Sequence, residues 1–552
     1  MTTPAPRPQL PTRRQALTGA LGITLLAGCT DASTPQPTGP IEVQPRATWS
    51  SATSERPALG AFGASTGHPL ATDAAMGVLR GGGNAVDAAI AAAFADAVMQ
   101  PASSGIGGGG VSIVARDGTN ANHDYREVVP TSGVVPASGV GVPGFVAGMA
   151  DLHDRYGTVD WAHLLEPAIT LAEDGGPVSQ YLADILARPG GRRVVQGLEH
   201  FHRQDGSVLR RGDTLVQKDL ASTMRRIAKD GADTVYRGDL AQQLTQVPGL
   251  DARTLRDYEV QHGKPATGPL GDYTFLSGAP ALPGGAIIQM AQIAEALGIG
   301  EVDADSPEFI DIQSRAWQVA ERSVHRWFGD PDFVDVPLDR LTDPRRNTAL
   351  AKELGGRPSA RGTRRSSGDP NTTHISVIDG DGMAISMTNT ITSYWGSGTY
   401  LGGFFLNDQL GRFALIGDGR ANRPQAGRRS VTWSSPSMVL DGQGRPALVI
   451  GAPGGSQIPN TTATVVLRWA LHGEPLDIAI PAPRFKLDGQ VLRLESRRHE
   501  PALQEMGYQT QVMPRSYRAS WGSVQALAVD WAEGTVAGVA DTRRSAGVEV
   551  SG

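Results

Sequence analysis

Cysteine is nearly absent: Cys29 is the only one in 552 residues, so no disulfide can form within the chain. No apolar run reaches the roughly 20 residues that a membrane-spanning helix needs. Cation excess is lacking too. Lys and Arg number 50 against 56 Asp and Glu, giving a formal charge of -6 and a pI near 6.0, which leaves no electrostatic footprint for nucleic acid. The one local basic concentration, Arg192, Arg193, Arg210 and Arg211, is interleaved with Glu199, Asp205 and Asp213 and reads as a solvated face. There is no HExxH helix, no paired cysteines and no Walker loop, so no metal or organic cofactor is implied.

What is present is a chain long enough to bury a large core, with 40% apolar and 19% charged residues inside the globular range. Gly 69 and Pro 38 are scattered, as in a loop-rich enzyme. The N-terminal stretch PTRRQALTGALGITLLAGC sets Arg13 and Arg14 before a short apolar run ending at Cys29. It is similar to a twin-arginine lipoprotein signal over residues 1–29, with Cys29 as the lipidation site. Residues 30–58 are Ser/Thr/Pro-rich without periodicity and read as a disordered tether. The expectation is an exported protein, held on the outer face of the cell membrane only through a lipid.

Along the folded part, GGGNAVDAAIAAAFADAVMQP predicts a buried helix capped by Asn84 with Asp87 at its third position. Gly105, Gly107 and Gly110 match GxGxxG, but a helix precedes them and the strand VSIVA follows, the reverse of a dinucleotide fingerprint. Gly139, Gly141 and Gly144 match it as well, with Pro143 breaking the motif; both sets read as tight-turn glycines. Helical spacing dominates from about 144 to 330, and short strands dominate after 372, among them HISVID, MAISMT, SMVLD, PALVIG, VLRLE and ALAVD.

Between these regions, residues 355–371, GGRPSARGTRRSSGDPN, have almost nothing to bury, and they run directly into Thr372 and Thr373. An internal Thr hydroxyl is a poor nucleophile. An N-terminal Thr carries its own base, since its α-amine has a pKa of about 7.7 to 8.0. Cutting the Asn371-Thr372 bond would expose that amine. Thr at a strand start is also commonplace, so this stretch alone leaves both readings open.

The stretch NTTHISVIDGDGMAISMTNT resembles the processing site of the γ-glutamyltransferases, which are N-terminal-nucleophile hydrolases. GHPLATDAAMGVLRGGGNAVDAAIAAAFADAVMQP, DYREVVP, GVPGFVAGMADLHDRYG, LLEPAITLAEDGGPVS, FGDPDFVDVPLDRL and GAPGGSQIP resemble further family blocks in family order. The resemblance implies an αββα four-layer sandwich of the α+β class. A large subunit, residues 59–371, and a small one, 372–552, would come from one precursor and share one core. It implies Thr372 as nucleophile, Thr390 as its hydrogen-bonding partner, and Gly454 and Gly455 as oxyanion donors. Arg126 would clamp the donor's α-carboxylate, and Gln409 would bind the donor. The substrate would be a small γ-glutamyl or related acyl amide, with water or an amine as acceptor.

Three positions depart from the family pattern. Thr392 stands where Asn is common, Arg412 where an Asp usually holds the donor's α-ammonium, and Thr432-Trp433 where a Ser-Ser pair usually contacts the α-carboxylate. Arg412 reverses the sign of the interaction with an ammonium. It favours an acyl group with a carboxylate and no adjacent amine, or points outward while another acid substitutes. ALIGDGRANRPQAGRRS also reads as a shorter lid than is usual in the family. Two rival expectations stand beside the γ-glutamyltransferase one: an acylase of the same fold acting on dicarboxylic monoamides or blocked glutamyl donors, and an uncleaved surface lipoprotein that binds such ligands.

Overall fold

Asn84 opens a helix as its sequence predicts. Its Oδ1 accepts the backbone N-H groups of Val86 and Asp87 at 2.9 and 3.0 Å, and the Asp87 carboxylate takes the Asn84 N-H at 3.1 Å. This capping box satisfies donors that a helix start otherwise strands. The helix, Ala85–Met99, is buried along its whole length. In this computed structural model, residues 59–354, 371–417 and 420–551 are described. The expected signal, the tether, Cys29 and the loop at 355–370 lie outside the described residues. Among those that are described, no helix is long and apolar enough to cross a membrane.

Thirteen strands build two sheets. They are β1 (Phe62–Thr66), β2 (Gly109–Arg116), β3 (Thr119–Asp124), β4 (Gln261–Gly263), β5 (Ala266–Leu270), β6 (Tyr273–Ser277), β7 (Thr373–Ile378), β8 (Ala384–Thr390), β9 (Ser437–Leu440), β10 (Pro446–Gly451), β11 (Gln525–Asp530), β12 (Thr535–Gly538) and β13 (Gly547–Ser551). The first sheet runs β13-β1-β7-β8-β2-β3-β4 and the second β12-β11-β10-β9-β6-β5. All pairs are antiparallel.

Apolar side chains from both sheets, including Ile113, Ile378, Leu276, Met438, Val449 and Leu527, form a core between them. The outer face of the first sheet is covered by helices α1 (Pro69–Arg80), α2 (Ala85–Met99) and α3 (Phe145–Tyr156). The outer face of the second is covered by α4 (Gly284–Ala296), α5 (Pro307–Trp327) and α6 (Ile458–His472). This is the four-layer αββα arrangement. Each sheet takes strands from both sides of the Asn371-Thr372 bond, so neither side has a closed core of its own.

Local readings differ from the structure in three places. Strands β4 to β6 lie inside the stretch read as mainly helical, because QHG and ATGPL carry turn-type residues that hide a two-residue period. Helix α6 lies inside the stretch read as β-rich. Its β-branched run IPNTTATVV favours strand by propensity, yet Pro459 fits a first helical turn and burial against the second sheet decides the outcome. Gly110 is not a turn residue: it lies in β2, where a Cβ would meet Asn389 Oδ1 at 2.4 Å.

Candidate active site

Thr372 sits one residue before β7, and Thr390 ends β8. The hairpin register that pairs Asn389 with Thr373 brings the two hydroxyls together. The Thr372 Oγ1 lies 3.4 Å from that of Thr390 and donates a short hydrogen bond to the carbonyl oxygen of Asn371. Thr390 Oγ1 donates to the same carbonyl at 2.7 Å and accepts the Thr392 N-H at 2.8 Å. The nucleophile therefore lies against the bond it would cut, and the carbonyl oxygen already has a donor where negative charge would develop.

Asn371 is clamped. Its Nδ2 donates to Ala102 O at 2.8 Å and Ser103 Oγ at 2.6 Å. Its Oδ1 accepts from the Tyr181 hydroxyl at 2.7 Å, the Thr372 N-H at 2.9 Å and Arg544 Nη1 at 3.2 Å. Its own N-H donates to Thr392 O at 2.8 Å. Burial pushes the Tyr181 phenol well above its usual range, so it stays a neutral donor.

The cleft at Thr372 is lined by Thr390, Thr392, Gln409, Arg412, Thr432, Trp433, Gly455 and Asn371 among others. In the intact chain it holds about 10 Å³, room for one water at most. Gln409 joins its parts: Oε1 accepts from Thr392 Oγ1 at 2.6 Å, and Nε2 donates to Ser430 Oγ at 2.9 Å. Trp433 packs on Trp317, ring centroids 6.0 Å apart. Gly454 and Gly455 have φ of 133° and 55°, conformations that a side chain would strain. Among the described residues neither N-H donates to a backbone acceptor, and of the two only Gly455 lines the cleft.

Arg126 and Arg412, both expected to meet the donor, are placed differently in this form. Arg126 does not line the cleft. Its Nε and Nη2 hold Asp124 at 2.9 and 2.5 Å, and its Nη1 donates to Ser430 O at 2.7 Å, so it braces the loop that supports Gln409. Burial alone would raise the Asp124 carboxyl, but Arg126 and Arg429 beside it hold it below the usual range. Arg412 does line the cleft. Among the described residues no hydrogen bond or ion pair engages its guanidinium; burial lowers its pKa, and the charge of Asp408 offsets part of that.

Thr392 has φ of 83°, the left-handed region that a β-branched residue rarely adopts and Asn tolerates. Thr392→Asn is expected to raise stability by about 1 kcal/mol, read as a higher thermal midpoint. Gly108 faces Thr390 so closely that a Cβ would lie 2.2 Å from the Thr390 carbonyl oxygen. Backbone cannot yield there. Gly108→Ala is expected to cost about 3 kcal/mol or more and to displace Thr390, visible as a lost cut in a mass spectrum.

Residues 71–551 match the family model described as Gamma-glutamyltranspeptidase. The chain belongs to this family. It is 31% identical to the capsule biosynthesis protein CapD proenzyme of Bacillus anthracis, over 88% of this chain and 90% of the relative. It is 32% identical to the glutathione hydrolase proenzyme of Escherichia coli, over 75% of this chain and 79% of that one. The crystal structure of cephalosporin acylase from Bacillus halodurans shares the fold, with a TM-score of 0.80 at 24% identity over 92% of this chain and 99% of that one.

Within this γ-glutamyltranspeptidase framework, Ser103, Tyr181, Ser430, Ser434, Ile458 and Arg544 also shape the site and were not among the residues expected from sequence. Among the described residues, the one group of three metal-ligating side chains is His123, Asp151 and His262, and none of them lines the Thr372 cleft.

Proposed function

We propose that the chain cuts itself between Asn371 and Thr372, and that the freed Thr372 transfers the acyl group of a small γ-glutamyl-type amide to water or an amine. The observation that carries this reading is the Thr372 hydroxyl against the Asn371 carbonyl, with Thr390 donating to the same oxygen. In the cut, Thr372 Oγ1 bonds to the Asn371 carbonyl carbon and the C-N bond breaks. The hydroxyl proton ends on the Thr372 nitrogen, and water hydrolyses the resulting ester. In turnover the free α-amine takes the hydroxyl proton as Oγ1 attacks the substrate carbonyl. Gly454 and Gly455 hold the oxyanion, and the leaving amine departs with the proton. Water or an amine then releases the acyl group from Thr372.

Arg412 favours a second reading of the donor. A guanidinium in the cleft that no described residue hydrogen-bonds suits an acyl group ending in a carboxylate, as in a dicarboxylic monoamide, and opposes an α-ammonium. Hydrolysis of γ-glutamyl- and glutaryl-4-nitroanilide by the processed enzyme separates the two donors. A chain that stays whole near neutral pH would overturn both and leave a ligand-binding protein on this scaffold.

Arg13, Arg14 and Cys29 support export and a lipid anchor on the outer face of the membrane. Cys29→Ser is expected to move the protein from the membrane fraction to the soluble one.

A further inference from the structure

Three side chains of the kind that ligate metals converge at the β4 edge of the first sheet. His123 on β3 and His262 on β4 are register partners with ring centroids 5.3 Å apart, and Asp151 reaches both from α3. Asp151 Oδ2 lies 3.1 Å from His123 Nδ1 and 2.9 Å from His262 Nε2. The three ligand atoms all fall within 4.8 Å of one another. Two ligands each about 2.1 Å from one ion stand about 3.0 to 3.4 Å apart at angles between square and tetrahedral. Two sides of the triangle are already near that size, and His262, whose side chain is 38% exposed, can rotate to close the third.

The same contacts also serve as plain hydrogen bonds, so the surroundings decide between the two. The Tyr156 hydroxyl, 3.1 Å from His123 Nε2, can accept a proton there and so leave the Nδ1 lone pair facing Asp151. Burial lowers the pKa of His123, which keeps the imidazole neutral near pH 7, as a ligand must be. The exposed side of His262 leaves a further position open to water. Arg155 opposes an ion, since its Nε donates to Asp151 at 2.9 Å; it takes the other oxygen, Oδ1, and is half exposed, so it can turn into solvent. Two imidazoles and one carboxylate suit a borderline ion such as zinc, whereas calcium and magnesium take oxygen ligands.

We propose that His123 Nδ1, His262 Nε2 and one oxygen of Asp151 bind a divalent transition-metal ion of the zinc class, with water completing its coordination. The ion pins β4, a three-residue edge strand, to β3 and α3. No sequence motif announces the site, because Asp151 lies 28 positions from His123 and 111 from His262. All three ligands precede Asn371, so the site belongs to the cut and the uncut chain alike and stands apart from the acyl-transfer reading.

The test uses the tag-free protein, stripped with EDTA and moved into metal-free buffer. Titrated Co²⁺ is expected to bind at one equivalent per chain with the visible absorption of a low-coordinate site, and Zn²⁺ should displace it while Mg²⁺ and Ca²⁺ do not. Zn²⁺ should also raise the thermal midpoint. His262→Ala should weaken Co²⁺ binding by about 100-fold or more and abolish the Zn²⁺ shift, and Tyr156→Phe should weaken binding by about 10-fold. Arg155→Gln, which removes the competing cation, should tighten it. Melting curves in EDTA confirm that each variant folds, and His262→Gln carries the comparison if the alanine variant does not. A parent protein without the one-equivalent Co²⁺ signal overturns the proposal and leaves a hydrogen-bonded cluster. A parent-like signal in the folded His262 variant overturns it too, because the ion then sits elsewhere.

Discussion

Thr372→Ala is expected to leave one uncut chain after incubation near neutral pH, while the parent yields two fragments whose masses meet at Asn371-Thr372. The geometry leaves little room for a substitute nucleophile. Asn371 is held by hydrogen bonds on both side-chain ends, and its carbonyl oxygen faces only the Thr372 and Thr390 hydroxyls among those described. Residual amide hydrolysis should fall by about 10⁴-fold or more, the scale on which removal of an enzymatic nucleophile acts. N-terminal sequencing of the small fragment is the direct check. A small subunit starting at Thr373 or elsewhere would contradict the assignment. Thr390→Ala should slow the cut without moving it, because it removes a donor to the carbonyl oxygen and leaves the attacking hydroxyl in place.

Arg412→Asp is expected to exchange the donor preference. Two unit charges about 4 Å apart at an effective dielectric near 20 interact by roughly 4 kcal/mol, so removing the repulsion of an α-ammonium at one cleft wall can by itself shift a ratio of kcat/KM values by about 10³-fold, and the attraction that replaces it adds to this. γ-Glutamyl-4-nitroanilide, with its α-ammonium, should gain, and glutaryl-4-nitroanilide should lose. The shift should shrink as salt is raised only to the extent that the cleft admits ions. If both substrates change together, Arg412 acts through the fold of its loop and not through the charge of the donor.

Much of this site could be read locally. Thr372 and Thr390 flank a single hairpin, so strand alternation and a Gly-Asp turn are enough to bring them together. The Asn84 cap and the burial of its helix follow from short-range hydrogen bonding and from an apolar surface on all sides. Arg126 was legible as a residue but not in its place. Asp124, only two positions earlier, captures the guanidinium, and whether it does so depends on how the Ser430 loop packs. The left-handed φ at Thr392 could not be seen in sequence, because it accompanies two hydrogen bonds of the folded site: its N-H donates to Thr390 Oγ1 and its carbonyl accepts the N-H of Asn371.

By itself the sequence offered the candidates: a threonine at the junction of a loop with little to bury and a strand and, through the resemblance of its motifs to the γ-glutamyltransferases, glycines expected to face an oxyanion and a cation where an ammonium-binding acid is usual. The first follows from residue type and from neighbours a few positions apart, the others from the family pattern. The tertiary structure alone decided which distant groups meet Asn371. Ser103, Tyr181 and Arg544 lie 268, 190 and 173 positions away from it and reach it only because both sheets interleave the two halves of the chain. No local periodicity encodes such a meeting. It follows from burying two sheet faces against each other, which fixes the ends of strands far apart in sequence at one edge of a shared core.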